Sequence, residues 1–546
     1  MPRFQLRNRR LLFGALVALI VSLSASAASA RVDEARGTAK VTPRSGGTLV
    51  LALNAGWDTL DPAATAFTFA RQIMKFIYEP LLTRDPTTGE ILPALAQSWK
   101  ISADKKTVTL KLRPGVLFHD GTPFNAKAVV FTWNRIIDPK TKSPYASTIT
   151  GPIRRIRALN DLTVRIVLKA PFAPLLDSLT QVSLAPVSPA AVAKWGKDFG
   201  AHPVGAGPFM FESQVPNDNV VLVRNPKYKW APDFYFHQGP AYLDKVVIRV
   251  VPEDSTRMAL AQAGQIDVVY APIVSQLQSF ANNSNFRVSS APRSGVPRSL
   301  IFNTTKAPFD DPKVRQAVGY AVNKKQIVQV ALGGIGSAAS NIITPSLFGY
   351  SREAAKAGPT YDPAKATQLL QAAGWTPGSD GILQKSGQKF IISLGSSPTG
   401  VSPIQDAIIQ SNLKAVGISA QIEVQQQAAY LASIRSGRWH LATFLFAASD
   451  PDVMYTVLHS ASIDQAWNTA RYNSPAMDSL LVKAREEFDS QKRADLLAQA
   501  QKLALTDLPY LPLFNISNPF ILSSRVLGFR RDTQGFYDFY DTWVSR

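Results

Sequence analysis

The chain has 546 residues, 46% of them apolar and 18% charged, which is material for two to four folding units rather than one core. It contains no cysteine, and this excludes disulfides, a thiol nucleophile, thiolate metal sites and a lipid-modified cysteine anchor. The formal charge is +20, but the basic residues form no dense run of the nucleic-acid-binding kind, so they are read as a solvated surface.

The first thirty residues differ from the rest. Arg3, Arg7, Arg9 and Arg10 precede an apolar run from Leu11 to Val21, and small residues lead on to Ala28-Ser29-Ala30. A charged start, a short apolar stretch and an A-x-A site define a secretory signal peptide. Cleavage after Ala30 is expected; the leader carries four arginines and no acid, so its loss leaves a formal charge of +16. The apolar run is shorter than the roughly 20 residues of a spanning helix. The expected destination is therefore the periplasm. Arg9-Arg10 has the look of a twin-arginine signal but does not fix the export route.

Residues 31–44 read as a polar arm. Gly46 to Leu53 follows as an apolar strand, then Asn54-Ala55-Gly56-Trp57-Asp58-Thr59-Leu60-Asp61-Pro62, then a helix over Arg71 to Leu82. Leu92-Pro93-Ala94-Leu95-Ala96-Gln97-Ser98-Trp99 precedes a strand in which Val108, Leu110 and Leu112 alternate with polar residues, as a half-buried strand requires. Phe118-His119-Asp120-Gly121-Thr122-Pro123-Phe124 makes a turn, and Asn125 caps a helix with Val129, Val130, Trp133, Ile136 and Ile137 on one face. Thr163 to Leu168 is a further alternating strand. Pro203-Val204-Gly205-Ala206-Gly207-Pro208-Phe209 bends tightly, and Arg257 to Asp267 is expected to be helical.

The stretch from Arg298 to Val328 organises the chain. Ser299 to Asn303 is a short apolar strand; Asp311 is placed as an N-cap with Pro312 at the first helical position, where its missing N–H is harmless. Val314, Ala317, Val318, Ala321 and Val322 then share one helix face. Asp362-Pro363 starts another helix, which Gly374 ends. After Arg471-Tyr472-Asn473-Ser474-Pro475 two more helices follow, and Leu508 to Phe514 reads as a strand.

Taken together, these segments resemble the extracellular solute-binding proteins of the peptide/nickel type, family 5, which serve ABC importers. The likeness extends over essentially all of the chain after the leader, in family order. It implies an α/β fold of two lobes with an extra domain on the first, joined by two crossing strands, Ser299 to Asn303 and Leu511 to Asn515, around a ligand cleft. The implied division is 1–30 signal peptide, 31–80 first lobe, 81–201 extra domain, 202–300 first lobe again, 301–515 second lobe and 516–546 a return to the first. The resemblance further implies capture of a short peptide or peptide-like solute for delivery to ABC permease subunits, by a monomer that acts without cofactor or nucleic acid and meets the membrane only through the permease.

Ligand-facing candidates are Trp57, Phe67, Thr68 and Phe69 just beyond the first strand, and Phe444, Phe446, Ala447 and Asp450 in the loop whose position matches the family's ligand-facing loop. Peptide-binding members often carry, at the position of Ala447, an aspartate that pairs with the peptide ammonium. That anchor is missing here unless Asp450 or Asp452 replaces it. Opines, oligosaccharides and other amphiphiles are thus alternatives, as is a periplasmic receptor or chaperone role. No catalytic residue or metal site is predicted: His119, His202, His237, His440 and His459 form no metal-ligand spacing, and there is no nucleophile elbow or phosphate loop. His119-Asp120 is read as part of a turn.

Overall fold

A computed structural model describes residues 42–545 apart from 87, 273–275, 399 and 533–534. The leader, its cleavage site and the polar arm lie outside the described residues.

A seven-stranded sheet forms the first lobe. Its spatial order is Phe286–Pro292, Ser517–Ser523, Val268–Tyr270, Thr48–Leu53, Lys245–Val250, Asn219–Arg224 and Phe209–Val215. The central strand Thr48–Leu53 runs parallel to both neighbours and is covered on both faces, as a parallel strand of apolar sequence should be. Leu49, Leu51 and Leu53 enter the large core, whereas Ala52 and Val50 face Met258 and Ala261. Those two belong to the helix Asp254–Gln262, which starts earlier than the expected Arg257 because Glu253 caps it through Ser255 and Thr256.

The first helix is Thr68–Ile77, shorter than the expected 71–82. Pro80 excludes helical backbone from the residue before it, and Tyr78 is already extended at ψ 148°. Gly205 and Gly207 pack directly on this helix end; a Cβ on Gly205 would lie 2.2 Å from the Ile77 carbonyl oxygen. That close approach is why the bend at 203–209 needs glycine.

The extra domain is a four-stranded antiparallel sheet, Ala96–Ile101, Thr107–Leu112, Thr163–Leu168 and Ile153–Asn160 in spatial order. Val108, Leu110, Leu112, Val164 and Ile166 point inward against Val129, Trp133 and Ile136. The covering helix, Ala126–Ile137, is capped by Asn125, which accepts from the Ala128 amide at 3.1 Å.

The second lobe has a six-stranded sheet ordered Ser337–Ala338, Tyr510–Asn515, Gly295–Phe302, Leu441–Ala447, Ile391–Ser396 and Ser419–Val424. Its helix Pro312–Ala321 is capped by Asp311 and buries Val314, Ala317, Val318 and Ala321.

The chain passes between the two sheets twice, each time within a residue or two. Phe286–Pro292 ends in the first sheet and Gly295–Phe302 begins in the second; Tyr510–Asn515 ends in the second and Ser517–Ser523 begins in the first. The passages are neighbours: Pro292 pairs with Ser517, the Arg293 amide donates to the Ile516 carbonyl at 3.0 Å, and Arg298 pairs with Phe514. The segments Ser299–Asn303 and Leu511–Asn515, expected to cross, are instead side by side in the second sheet. The sheets change at Arg293-Ser294, while the division expected from the sequence, between 300 and 301, falls inside a strand.

Candidate functional site

Two surfaces from different lobes face each other. The second-lobe surface is the end of strand Leu441–Ala447 and the turn into helix Val453–Leu458. The surface opposite comes from the extra domain, residues 145–181. Between them lies a narrow cavity of about 60 Å³, walled by Tyr145, Ile149, Phe172, Asp177 and Gln181 on one side and by Phe446, Ala448, Ser449, Asp450, Asp452 and Val453 on the other. Asp177, Ser449 and Asp450 also edge a wider opening of about 510 Å³, with Arg84, Phe348, Phe488 and Arg493.

The lobes touch across this cleft. Gln181 Nε2 donates to Ser449 Oγ at 2.8 Å, Ser449 Oγ donates to Asp177 Oδ2 at 2.6 Å, and the Ala173 amide donates to the Arg485 carbonyl at 2.8 Å. Each carboxylate in the contact has its own arginine. Asp177 pairs with Arg84, Asp450 with Arg493 and Asp452 with Arg485, the last through Nε to Oδ1 at 2.8 Å and Nη2 to Oδ2 at 2.7 Å. Burial pushes the Asp177 carboxyl above its ordinary range; Arg84 opposes this and Asp450, from the other lobe, adds to it. Burial likewise raises Asp452 against the pull of Arg485. The Ser449 hydroxyl of the second lobe thus sits between Gln181 and the Asp177–Arg84 pair of the opposite wall, next in sequence to the Asp450–Arg493 pair.

Phe444 and Phe446 form an aromatic ledge with Trp467. Phe444 stacks on the indole at 5.0 Å between centroids and 4° between planes, and Phe446 meets it edge-on at 6.0 Å. Trp467 comes from a loop too far along the sequence to be predicted as its partner.

Of the sequence candidates, Phe446 and Asp450 line the cavity, and Phe444 belongs to the ledge behind it. Ala447 is buried and registers against Gly295. The first-lobe candidates lie elsewhere. Trp57 is held by Gln214, Nε1 to Oε1 at 3.1 Å, and packs on the first-lobe core. Phe67 is 57% exposed, and Thr68 opens the first helix. Phe69 meets Tyr270 edge-on at 5.2 Å. None of these four lines the interlobe cavity. The residues that do, Tyr145, Phe172, Asp177 and Gln181, come from irregular connections with no periodic signal. An Asp beside a short helical turn was the only hint, and it has many structural explanations.

His119 is spent on structure. Its Nε2 meets the Gly207 carbonyl at 3.0 Å and its backbone amide donates to Gly205, so the turn 118–124 clasps the bend at 203–209. Burial lowers its pKa to about 4, and Asp120 accepts from Ser188 and Thr122. A second cavity, about 100 Å³, is walled by Glu79, Tyr228, Tyr235, Arg530 and Asp538 without any second-lobe residue. No group of acidic or histidine side chains suited to a metal ion occurs among the described residues, and no described helix is long and apolar enough to cross a membrane.

Two α/β lobes, an added domain and paired passages between the sheets define a two-lobed solute-binding protein. The sequence pattern of the bacterial extracellular solute-binding proteins, family 5, matches residues 90–467, and the chain belongs to that family. It is 30% identical over 507 residues to the glutathione-binding protein GsiB of Escherichia coli O157:H7, covering 91% of this chain and 93% of that one. Among solved structures, the Helicobacter pylori periplasmic binding protein DppA in complex with the peptide STSA superposes with a TM-score of 0.79. It is 29% identical, with 92% of this chain and 99% of that one covered. A dipeptide-binding protein of Pseudoalteromonas bound to Met-Leu gives 0.79 at 25% identity, covering 91% and 100%.

Proposed function

We propose that the protein is the periplasmic solute-binding component of an ABC importer, capturing a short peptide or peptide-like solute between its lobes and delivering it to the permease. One observation carries this reading: the cleft is walled by both lobes, and among the described residues the chain passes from one sheet to the other at two adjacent places. A ligand that touches both walls stabilises the closed arrangement by the difference between its affinities for closed and open states. The GsiB relatives and the peptide-bound structures support a peptide-like solute. Cleavage after Ala30, a monomeric state and the division into first lobe, extra domain and second lobe belong to the same proposal.

The solute is not held by an ammonium anchor on the second-lobe loop. Ala447 supplies no charge, and Asp450 and Asp452 are already engaged by arginines of their own lobe. Mature protein, unfolded and refolded to remove any carried ligand, is to be titrated with glutathione and a dipeptide library while its melting temperature is followed. A saturable rise with some peptide-like compounds and none with sugars is expected. Stabilisation by sugars alone would overturn the peptide reading and favour the oligosaccharide alternative.

A further inference from the structure

The extra domain turns a strongly basic sheet face to solvent. Its four strands, Ala96–Ile101, Thr107–Leu112, Thr163–Leu168 and Ile153–Asn160, carry Lys100, Lys111, Arg165, Arg154, Arg155 and Arg157 and no acidic residue. Side chains alternate along a strand; the apolar set faces Val129 and Trp133, and the opposite set collects the charge. One row crosses the whole sheet: Lys100 pairs with Thr109, Thr109 with Arg165, and Arg165 with Arg157. Arg165 and Arg157 thus stand directly opposite each other on neighbouring strands, and like charges so placed destabilise a sheet. Arg165 also keeps a buried Nε without a hydrogen-bond partner. Among the described residues, the side chains of these six cations make no ion pair or hydrogen bond. The two hairpin turns hold the nearest acids in sequence, Asp104 and Asp161, and Asp104 is engaged by the Ser102 hydroxyl and the Lys106 amide.

Surface charge that serves solubility is ordinarily of mixed sign. Six unpaired cations on one sheet, two of them in direct opposition, are instead complementary to a spread of negative charge. Lys100, Lys111, Arg154, Arg155 and Arg157 are exposed, and none of the six lines the interlobe cavity or the wider opening beside it. The face presents no aromatic ring: Trp99 packs on the core beneath, so a nucleic-acid base has nothing to stack on. Threonines and Val167 fill the space between the cations, and the apolar centre of a protein interface is missing as well. We propose that this sheet face docks the protein on an anionic phospholipid surface, with Lys100, Lys111, Arg154, Arg155, Arg157 and Arg165 meeting the headgroup phosphates. Such docking goes beyond the solute-binding reading and does not rest on it. It also gives part of the chain's basic excess a location, because strand alternation and cross-strand pairing gather cations that form no dense run in the sequence.

The test is sedimentation of the mature protein with vesicles of phosphatidylcholine alone or with about 30% phosphatidylglycerol, at about 0.05 M and about 0.5 M salt. It compares wild type with the triple variant Arg154→Gln, Arg155→Gln, Arg157→Gln. A charge-matched control, Lys325→Gln, Lys414→Gln, Lys502→Gln, removes three exposed lysines from the second lobe. Wild type should bind the mixed vesicles at low salt, release them at high salt and ignore phosphatidylcholine. A cation near an anionic bilayer contributes about fivefold in affinity, so the strand variant should lose about a hundredfold and the control less than about tenfold. Equal losses in the two triples would reduce the effect to net charge and overturn the docking face, as would failure of wild type to bind the mixed vesicles. Binding to polyglutamate or single-stranded DNA that the strand variant loses, without binding to vesicles, would overturn the lipid surface in favour of a macromolecular partner. The strand variant should melt no lower than wild type, because Arg157 no longer opposes Arg165; if it does not fold, the double variant Arg155→Gln, Arg157→Gln decides. Solute titrations on the same variants should match wild type, so a negative result here leaves the solute-binding reading standing.

Discussion

Arg493 holds Asp450 with both arms of its guanidinium, Nη1 to Oδ2 at 3.0 Å and Nη2 to Oδ1 at 2.5 Å. Both side chains come from the second lobe, and both are largely buried. The carboxylate that could stand in for the missing anchor at Ala447 is therefore committed before a ligand arrives.

Acetylating the N-terminus of a bound peptide should therefore weaken affinity by less than about tenfold, roughly 1.4 kcal/mol. Asp450→Ala should leave that ratio unchanged while destabilising the protein by about 2–3 kcal/mol, because Arg493 is stranded in a largely buried site. Calorimetry with matched free and acetylated peptides measures the first quantity, and urea unfolding the second. A large acetylation penalty that vanishes in the mutant would show that the anchor has moved to Asp450.

Ser449 links the lobes through Gln181 and Asp177. Ser449→Ala removes both bonds and leaves Asp177, which burial already disfavours as a charge, with Arg84 alone. Since a net hydrogen bond is worth about 1 kcal/mol, ligand affinity should fall about five- to thirtyfold. The free protein should show a larger radius of gyration by X-ray scattering and recover the compact value at saturation. An unchanged radius in the free mutant would mean that this bridge does not govern closure.

Glu79 gives a pH signature. Burial raises its pKa from 4.5 to about 8, against the hydrogen bond from the Tyr228 hydroxyl at 2.7 Å; Asp538 adds to the shift, while Arg113 and Lys75 reduce it. The folded protein holds this proton more tightly than the unfolded chain, so the contribution is complete below about pH 4.5 and is lost as pH rises through about 8. Glu79→Gln should remove that decline, so that the mutant gains on the wild type by on the order of a few kcal/mol toward pH 9. Unfolding midpoints measured from pH 5 to pH 9 check it; parallel curves would exclude Glu79 as the source.

Gly295 begins the second-lobe strand just after the first passage, at φ +138°, and faces Ala447 across the sheet. A Cβ there would come within 1.9 Å of the Phe446 carbonyl oxygen. Gly295→Ala should destabilise the protein by about 2–4 kcal/mol and displace the Phe446 wall, lowering ligand affinity as well. Melting curves and calorimetry on the same preparation test both. Normal stability with normal affinity would show that the strand start can shift without disturbing the cleft.

Much of the fold was legible because the signals are local. Asn125 and Asp311 each cap the helix that the sequence assigned to them, and helices begin at Pro363 and Pro475 where the sequence placed a start; Val108, Leu110 and Leu112 face inward as their alternation implied. The cleft was legible only on the side of the Phe444–Asp452 loop. Its opposite wall is assembled from Tyr145, Phe172 and Gln181, which are set in place by the extra domain's packing and not by neighbours in sequence. The pairing of Asp450 with Arg493, 43 residues away, and of Asp452 with Arg485, 33 residues away, is likewise tertiary. Without it, either aspartate looks free to bind a ligand.

The placement of strand Ser517–Ser523 bears on how the protein is made. It lies between Phe286–Pro292 and Val268–Tyr270, so the first-lobe sheet has a gap until nearly the whole chain has left the ribosome. Phe286–Pro292 pairs with no other strand in that sheet and must wait for a partner more than two hundred residues downstream. Contacts of such separation form slowly, because the intervening chain has to be ordered first. A growing chain of this design cannot complete its first-lobe sheet until Ser517–Ser523 is available, long after the strands on either side of it have been made.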